Sequence, residues 1–393
     1  MTFPGCNHIL VSPVSINKMY SHAAPDALSN AGSPISFPDQ DARKSAIFCL
    51  TLTPKPGESV TEFCTRLYRN LRAAEAVPLH LQVFGSVAAH SEFRQIMRHT
   101  MGADECPLTW VEGAACNGTP IAGAHVYATA GREVQRIRLY GKPVGSVVED
   151  ASMRHCILGG LTPETIGASR ADQTAEVLDA TAEALAEAGF EMADILRTWF
   201  FLDDLLSWYD AFNEVRTRHY SQMQFRTGSM PASTGVSGRN PAGAALALAV
   251  WAAQPGNGSG RIEEVASPLQ CPAPTYGSSF SRAMEITSQA GRHLTISGTA
   301  SIALEGQTLW KNDVKRQIAL TMEVVRAILT SHSYTLEDIT RATAYFKHPA
   351  DVAAFHDWCL EHELRKLPVI HAECGICRDD LLFELEADAW KNA

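Results

Sequence analysis

The 393-residue chain lacks any apolar run near the roughly 18 residues needed to cross a bilayer, and no basic stretch leads into a long apolar one at its N-terminus. These absences predict a non-secreted, cytoplasmic protein with no membrane partner. Charge is also sparse, at 19% of residues, with 33 Lys+Arg against 43 Asp+Glu and a formal net charge of −10. No Lys/Arg-rich block occurs, so nucleic acid is not an expected partner. An anion could still bind, but only where a few arginines gather against the overall field. Cysteine is scattered, ten in the whole chain, without the density of a small disulfide scaffold. There is no P-loop, no G-x-G-x-x-G after a strand, no G-x-S-x-G elbow and no H-E-x-x-H, so nucleotide, dinucleotide and zinc-hydrolase chemistry have no motif to rest on. The expected cofactor is none, and the expected metal is none.

Apolar residues make up 46% of the chain, enough at roughly 150 residues per domain for two or three packed units. The first forty residues are rich in Pro, Ser, Asn and Ala and are read as an arm, 1–40. From about His155 and again from about His293, at an offset of about 144 residues, the chain repeats itself. A strand closed by glycine leads to a helix beginning near Gln173 or Gln317, with apolar residues every three or four positions. Then come the strands Ile195 to Leu202 and Ile339 to Phe346, with Arg197 and Arg341 in the same place, a second helix and a final strand. A third copy is read between Ala46 and Ala128. Strands alternating with helices predict an α+β fold of mixed sheets with helices on one face. The expected divisions are a degenerate unit over 41–145, a second unit over 146–254, a breaker-rich linker over 255–275 and a third unit over 276–393.

The densest polar cluster runs from His371 to Ala387. If Asp380 to Ala387 is a strand, alternation puts Leu382, Glu384 and Glu386 on one face, and Arg378 extends that face backward. A carboxyl and a guanidinium side by side could move a proton and hold a carboxylate substrate, or could be a salt pair on a strand edge. Cys374 and Cys377 have C-x-x-C spacing, but a zinc site needs four ligands and no second half-site is present. Arg197 and Arg341, flanked by apolar residues, each require a partner, which is either a neighbouring carboxylate or an anion in a cleft. Trp199, Tyr209, Tyr345 and Trp358 read as core or surface aromatics as readily as ligand contacts.

The repeated unit resembles the Rid (YjgF) superfamily. The residues carrying the likeness in the third unit are His293 to Gly298, Gln317, Leu336 to Lys347 and Leu382 to Ala389. In the second unit they are Gln173, Asp194 to Arg197, Phe212-Asn213 and Met230-Pro-Ala-Ser233. The resemblance implies tandem Rid-like (chorismate-mutase-like) β-α-β-α-β units closed into an intrachain pseudo-trimer. Simple members are homotrimers that hydrolyse enamines and imines with an arginine in a Pro-Ala-Arg motif, where this chain has Ser233. Asn213 is kept in the second unit, whereas His356 replaces it in the third. Cys377-Arg-x-Asp-Leu-Leu-x-Glu384, Ser297 to Ile302, Arg197-Thr-Trp199 and Pro231-Ala-x-Thr234 are similar to the chorismatase branch. That likeness implies cleavage of chorismate's enolpyruvyl ether to pyruvate and a hydroxybenzoate or dihydroxycyclohexadiene carboxylate. On it, Glu384 would be the acid and Cys377 would lie beside the ring. Arg378 and Arg197 would hold the two carboxylates, with Trp199, Ser297, Gly298, Thr234, Tyr345 and Arg341 around the substrate. The implied partner is a small anionic ring bound to a monomer of internal pseudo-threefold symmetry. An enamine or imine deaminase, another hydrolase acting on a carboxylated ring, and a non-catalytic ligand-binding protein are the competing readings.

Overall fold

The computed structural model describes residues 35–36, 43, 45–101, 106–116, 118–256, 260–364 and 366–392. The arm expected over 1–40 therefore lies outside the described residues except at 35 and 36. The first unit comprises β1 (Ile35–Ser36), β2 (Phe48–Leu52), α1 (Val60–Ala73), β3 (Ala76–Gly85), α2 (Val87–Met101), β4 (Leu108–Val111), β5 (Ala114–Ala115) and β6 (Ile121–Ala130). The second has β7 (Gln135–Leu139), β8 (Lys142–Glu149), β9 (Met153–Leu161), α3 (Arg170–Glu187), β10 (Ile195–Leu202), α4 (Tyr209–Tyr220), β11 (Ala232–Ser237) and β12 (Leu246–Pro255). The third has β13 (Arg261–Val265), β14 (Ala283–Thr287), β15 (Arg292–Ala300), α5 (Val314–Ser331), β16 (Ile339–Phe346), α6 (Val352–Glu361), β17 (Val369–Glu373) and β18 (Phe383–Lys391).

Four strands of each sheet run in one order: β2-β6-β3-β4, β9-β12-β10-β11 and β15-β18-β16-β17. The fourth strand is parallel to its neighbour and the others are antiparallel, so the first unit keeps the complete pattern. Two expected boundaries shift. The second sheet also takes in the β7–β8 hairpin, so that unit starts near Gln135 rather than 146. The stretch 255–275 is not a free linker, because β13 pairs with β14 and extends the third sheet. Both short strands follow glycine-rich or polar breakers, which hid their pairing.

Helix chemistry is local. Ser169 and Asp313 accept hydrogen bonds from the backbone N–H three residues on, capping α3 and α5. Val177, Leu178, Ala184 and Leu185 in α3, and Ile318, Met322, Val325 and Leu329 in α5, are buried against their sheets. Each such side chain taken from water contributes roughly 1.5–3 kcal/mol if it is of Val or Leu size. Gln173 and Gln317 repeat one device, each accepting a backbone N–H just ahead of the last strand, from Ala245 and Leu382 respectively, both at 2.8 Å.

The opposite sheet faces meet one another around a pseudo-threefold axis. In every unit a β-bulge precedes the residue that starts the inner register, pairing His80 with Tyr127, Arg197 with Trp251 and Arg341 with Asp388. Four residues along the strand, Phe84, Phe201 and Tyr345 converge, with the Phe84 ring 5.9 Å from each of the other two. Their partners on the last strands are Gly123, Ala247 and Glu384. Only the third unit places an acid there.

Candidate active site

Glu384 opens into a cavity of about 740 Å³ between the second and third units. Helix α4 and strand β11 supply one wall, with Tyr209, Asn213, Arg216, Ser233 and Gly235. The third unit supplies the other, from Tyr276 to Arg282, Gly298, Ala300, Cys377 and Arg378. The two walls are stitched together by Ser233 N–H donating to Ser297 Oγ (2.9 Å) and by the Thr217 and Ser279 hydroxyls (2.6 Å).

The carboxyl of Glu384 has no hydrogen-bond partner among the described residues and is 4% exposed as a residue. Burial, with the charge of Glu386 two residues on, pushes its pKa up to about 8, against a smaller pull from Arg197. It is a neutral acid at pH 7. Gly298 makes room for it: a Cβ at that position would lie 2.0 Å from Glu384 Oε1. Glu386 has the opposite environment. Burial alone would raise its pKa, yet Arg341 and Arg197 hold it below the usual carboxylate value. It accepts from Arg197 Nη2 (2.7 Å), Arg341 Nη2 (2.5 Å), Thr234 Oγ1 (2.5 Å), Thr343 Oγ1 (3.0 Å) and Tyr345 OH (3.1 Å). Two carboxyls on one face of one strand are thus set to opposite protonation states.

This arrangement divides the residues expected at the site. Glu384, Cys377, Arg378 and Gly298 line the cavity. Arg197, Arg341, Tyr345 and Thr234 do not. They surround Glu386 in the interior, and Trp199 stacks on the two guanidiniums, 4.8 and 5.5 Å from its ring. Arg197 is fully buried and paired through Nη2 with Glu386, and although its Nε and Nη1 have no hydrogen-bond partner among the described residues, burial keeps a substrate carboxylate from reaching it. Ser297 is also fully buried, its hydroxyl spent on Ser281 O (2.5 Å) and the Ser233 N–H. These six positions are corrected from substrate contacts to framework, because the inner face of the sheet is covered by the other units. Strand β18 also begins at Phe383, which leaves Arg378 on the preceding loop, where Nη1 donates to Gly306 O (2.7 Å) and the guanidinium lies over Tyr276. Cys374 is packed in the central core while Cys377 faces the cavity, so the C-x-x-C pair is split between two environments. Burial and the neighbouring Glu384 push the Cys377 thiol up to about 12, so it stays protonated.

Two further arginines reach the cavity. Arg216 on α4 is 2% exposed. It donates from Nη2 to Asn213 Oδ1 (2.7 Å), and its Nε has no partner among the described residues. Its signal was readable: Phe212, Arg216 and Tyr220 are spaced by four, so the arginine occupies a core register. Arg282 is held by two bonds to Cys271 O, at 3.1 and 2.8 Å, on a non-repetitive segment whose pattern gave no signal. A neutral acid beside Arg216, Arg282 and Arg378 can protonate a dianionic substrate whose charges the guanidiniums hold.

Comparison with known proteins agrees with this architecture. Residues 272–390 match the family described as Endoribonuclease L-PSP, the Rid/YjgF family. A RutC family protein of Pyrococcus horikoshii is 30% identical over 105 residues, covering 26% of this chain and 83% of that protein. One of Pyrococcus abyssi is 27% identical over 114 residues, covering 29% and 87%. Among solved structures, a chorismatase superposes with a TM-score of 0.61 over 88% of this chain and 98% of its own, at 18% identity, a likeness of fold.

Proposed function

The chain belongs to the Rid (YjgF) superfamily, and from that premise we propose that it is a cytoplasmic, monomeric, chorismatase-like hydrolase that cleaves the enolpyruvyl ether of chorismate without a cofactor. The observation that carries this reading is Glu384, a buried acid protonated up to about pH 8 that faces a cavity bearing three arginines. An enol ether reacts when a proton is delivered to its methylene carbon, leaving an oxocarbenium ion. Glu384 donates that proton, and its carboxylate then faces the new positive charge. Water adds to the cationic carbon, the hemiketal expels the ring alcohol, and pyruvate leaves with a dihydroxycyclohexadiene carboxylate, the proton lost by water restoring Glu384. Capture by the ring hydroxyl instead gives a cyclic ketal, its hydroxyl proton returning to Glu384. Loss of a ring C–H proton with cleavage of one ring C–O bond then aromatises the ring, and the hemiketal left collapses to pyruvate and a hydroxybenzoate with no net uptake of water. Arg216 and Arg378, from the two walls, hold the substrate carboxylates, and the Cys377 thiol is a neutral wall beside the ring.

The test is incubation with chorismate, coupling released pyruvate to lactate dehydrogenase and identifying the ring product by mass spectrometry. Wild-type protein forms pyruvate. In Glu384→Gln the rate falls by about 10²–10⁴ with an unchanged circular dichroism spectrum. Undiminished turnover in that variant overturns the acid assignment. Ammonia release from an amino-acid-derived enamine, with no pyruvate from chorismate, overturns the reaction.

A further inference from the structure

The cavity beside Glu384 has two pseudo-symmetric counterparts, one at each of the other junctions between units. At the junction of the first and second units the same elements enclose about 300 Å³, at the lower end of the roughly 300–1,000 Å³ of ligand cavities. The spacing His90, Phe93, Arg94, Met97 on α2 repeats Tyr209, Phe212, Asn213, Arg216 on α4, and Phe93 and Phe212 are both fully buried. Strand register makes Thr109 equivalent to Thr234 and Trp110 to Gly235. Both threonines accept a backbone N–H across the junction, Thr109 from Gly160 (2.8 Å) and Thr234 from Gly298 (3.0 Å). The third junction has Ile370 at this position and loses the bond. The first junction therefore keeps the frame of the catalytic cleft.

Its chemistry differs. Ala247 stands where Glu384 does, so the proton donor is gone. Trp110, filling the place of Gly235, lays its indole against His90 and Phe93, with ring centroids 5.3 and 5.2 Å away. These rings form one part of an apolar wall that Leu81, Met97, Met101, Leu108 and Val144 continue. Arg94 lines it from the position of Asn213 and has neither hydrogen bond nor ion pair among the described residues. The buried Trp110 Nε1–H likewise lacks an acceptor. By contrast, Lys142 on the rim is neutralised by Glu164 (2.8 Å), and Asn240 is saturated by the backbone around Ala244. Among the described residues, an apolar cleft with one unpaired cation matches an apolar ring bearing a single anionic group.

We infer that this cleft is a second, non-catalytic binding site for aromatic monocarboxylates, with Arg94 as its anion anchor. Occupancy needs no chemistry at Glu384 and holds whatever reaction the other cleft performs.

The probe is benzoate, titrated into full-length protein while the seven indole N–H signals are followed by NMR, with Trp110 assigned through Trp110→Phe. Benzoate shifts the Trp110 signal saturably, and benzamide, isosteric but neutral, does so at least about tenfold more weakly, as expected for loss of one charge-assisted contact. Arg94→Gln, at a partly exposed position where folding is not at stake, weakens benzoate by a similar factor, whereas Arg216→Gln in the catalytic cleft leaves the Trp110 titration unchanged. An unmoved Trp110 signal at millimolar benzoate overturns the inference. So does equal binding of benzamide, an unaltered titration in Arg94→Gln, or loss of the Trp110 shift in Arg216→Gln.

Discussion

Glu384 couples both activity and stability to pH, and both decline as pH rises, in adjoining windows. As the proton donor it must be protonated, so kcat is level on the acid side and falls about tenfold per pH unit above about 8. Its folded pKa lies above the ordinary value of 4.5, so between 4.5 and about 8 the folded state retains a proton that the unfolded chain releases. Stability is therefore lost as pH rises through that window, by about 1.4 kcal/mol per unit, and is independent of this group below it. Glu384→Gln removes the penalty: the variant melts higher than wild type at pH 8, and the gap closes toward pH 4.5, as scanning calorimetry in a buffer series would show. Gly298→Ala tests the packing around the same carboxyl. The added methyl meets the end of a flexible side chain rather than backbone, so the protein stays folded with Glu384 displaced, and pyruvate release falls at least about tenfold. An unchanged rate would mean that the observed carboxyl position is not the working one.

Along a strand, alternation shows which residues share a face, but not what covers that face. This is why Glu384 was legible as an acid in apolar surroundings while Arg197, on an equally apolar strand, was misplaced into the cleft: its face meets Glu386 from another unit, 189 residues away in the chain. No local pattern encodes that pairing. Helices gave firmer information, since an arginine at the buried register of α4 already stands out, although nothing in its neighbourhood tells a cleft from a core. The Glu386 cluster also makes a prediction. Removing its carboxylate leaves the fully buried Arg197 without an ion-pair partner and the fully buried Arg341 with only its longer contact to Asp388 (3.7 Å). Glu386→Ala should cost about 3–5 kcal/mol, read as a lower urea midpoint. A loss below 1 kcal/mol would show that the guanidiniums find other partners or water.

The three units are bound by polar contacts as well as by apolar packing. Arg341 Nη2 of the third reaches Gln82 Oε1 of the first (3.0 Å), Tyr127 OH of the first reaches Asp388 Oδ2 of the third (2.9 Å), and Ser146 Oγ of the second reaches Leu79 O of the first (2.6 Å). Strand β5 of the first unit even joins the third sheet through β17. One calorimetric transition is expected for the whole chain, and a fragment spanning 261–393 should not fold alone, since its inner face and buried charges would meet water. Separate transitions would refute this. At this scale the repeat announced the architecture, but not the β7–β8 hairpin or β13, which lie ahead of His155 and His293, where the legible repeat begins. Glu384, Ala247 and Gly123 hold one strand position in three settings. In an assembly of three identical chains that position is a single codon, and one base change silences every cleft at once. A fused gene writes it three times, so two copies can surrender their acid to other uses while the third is held to its chemistry.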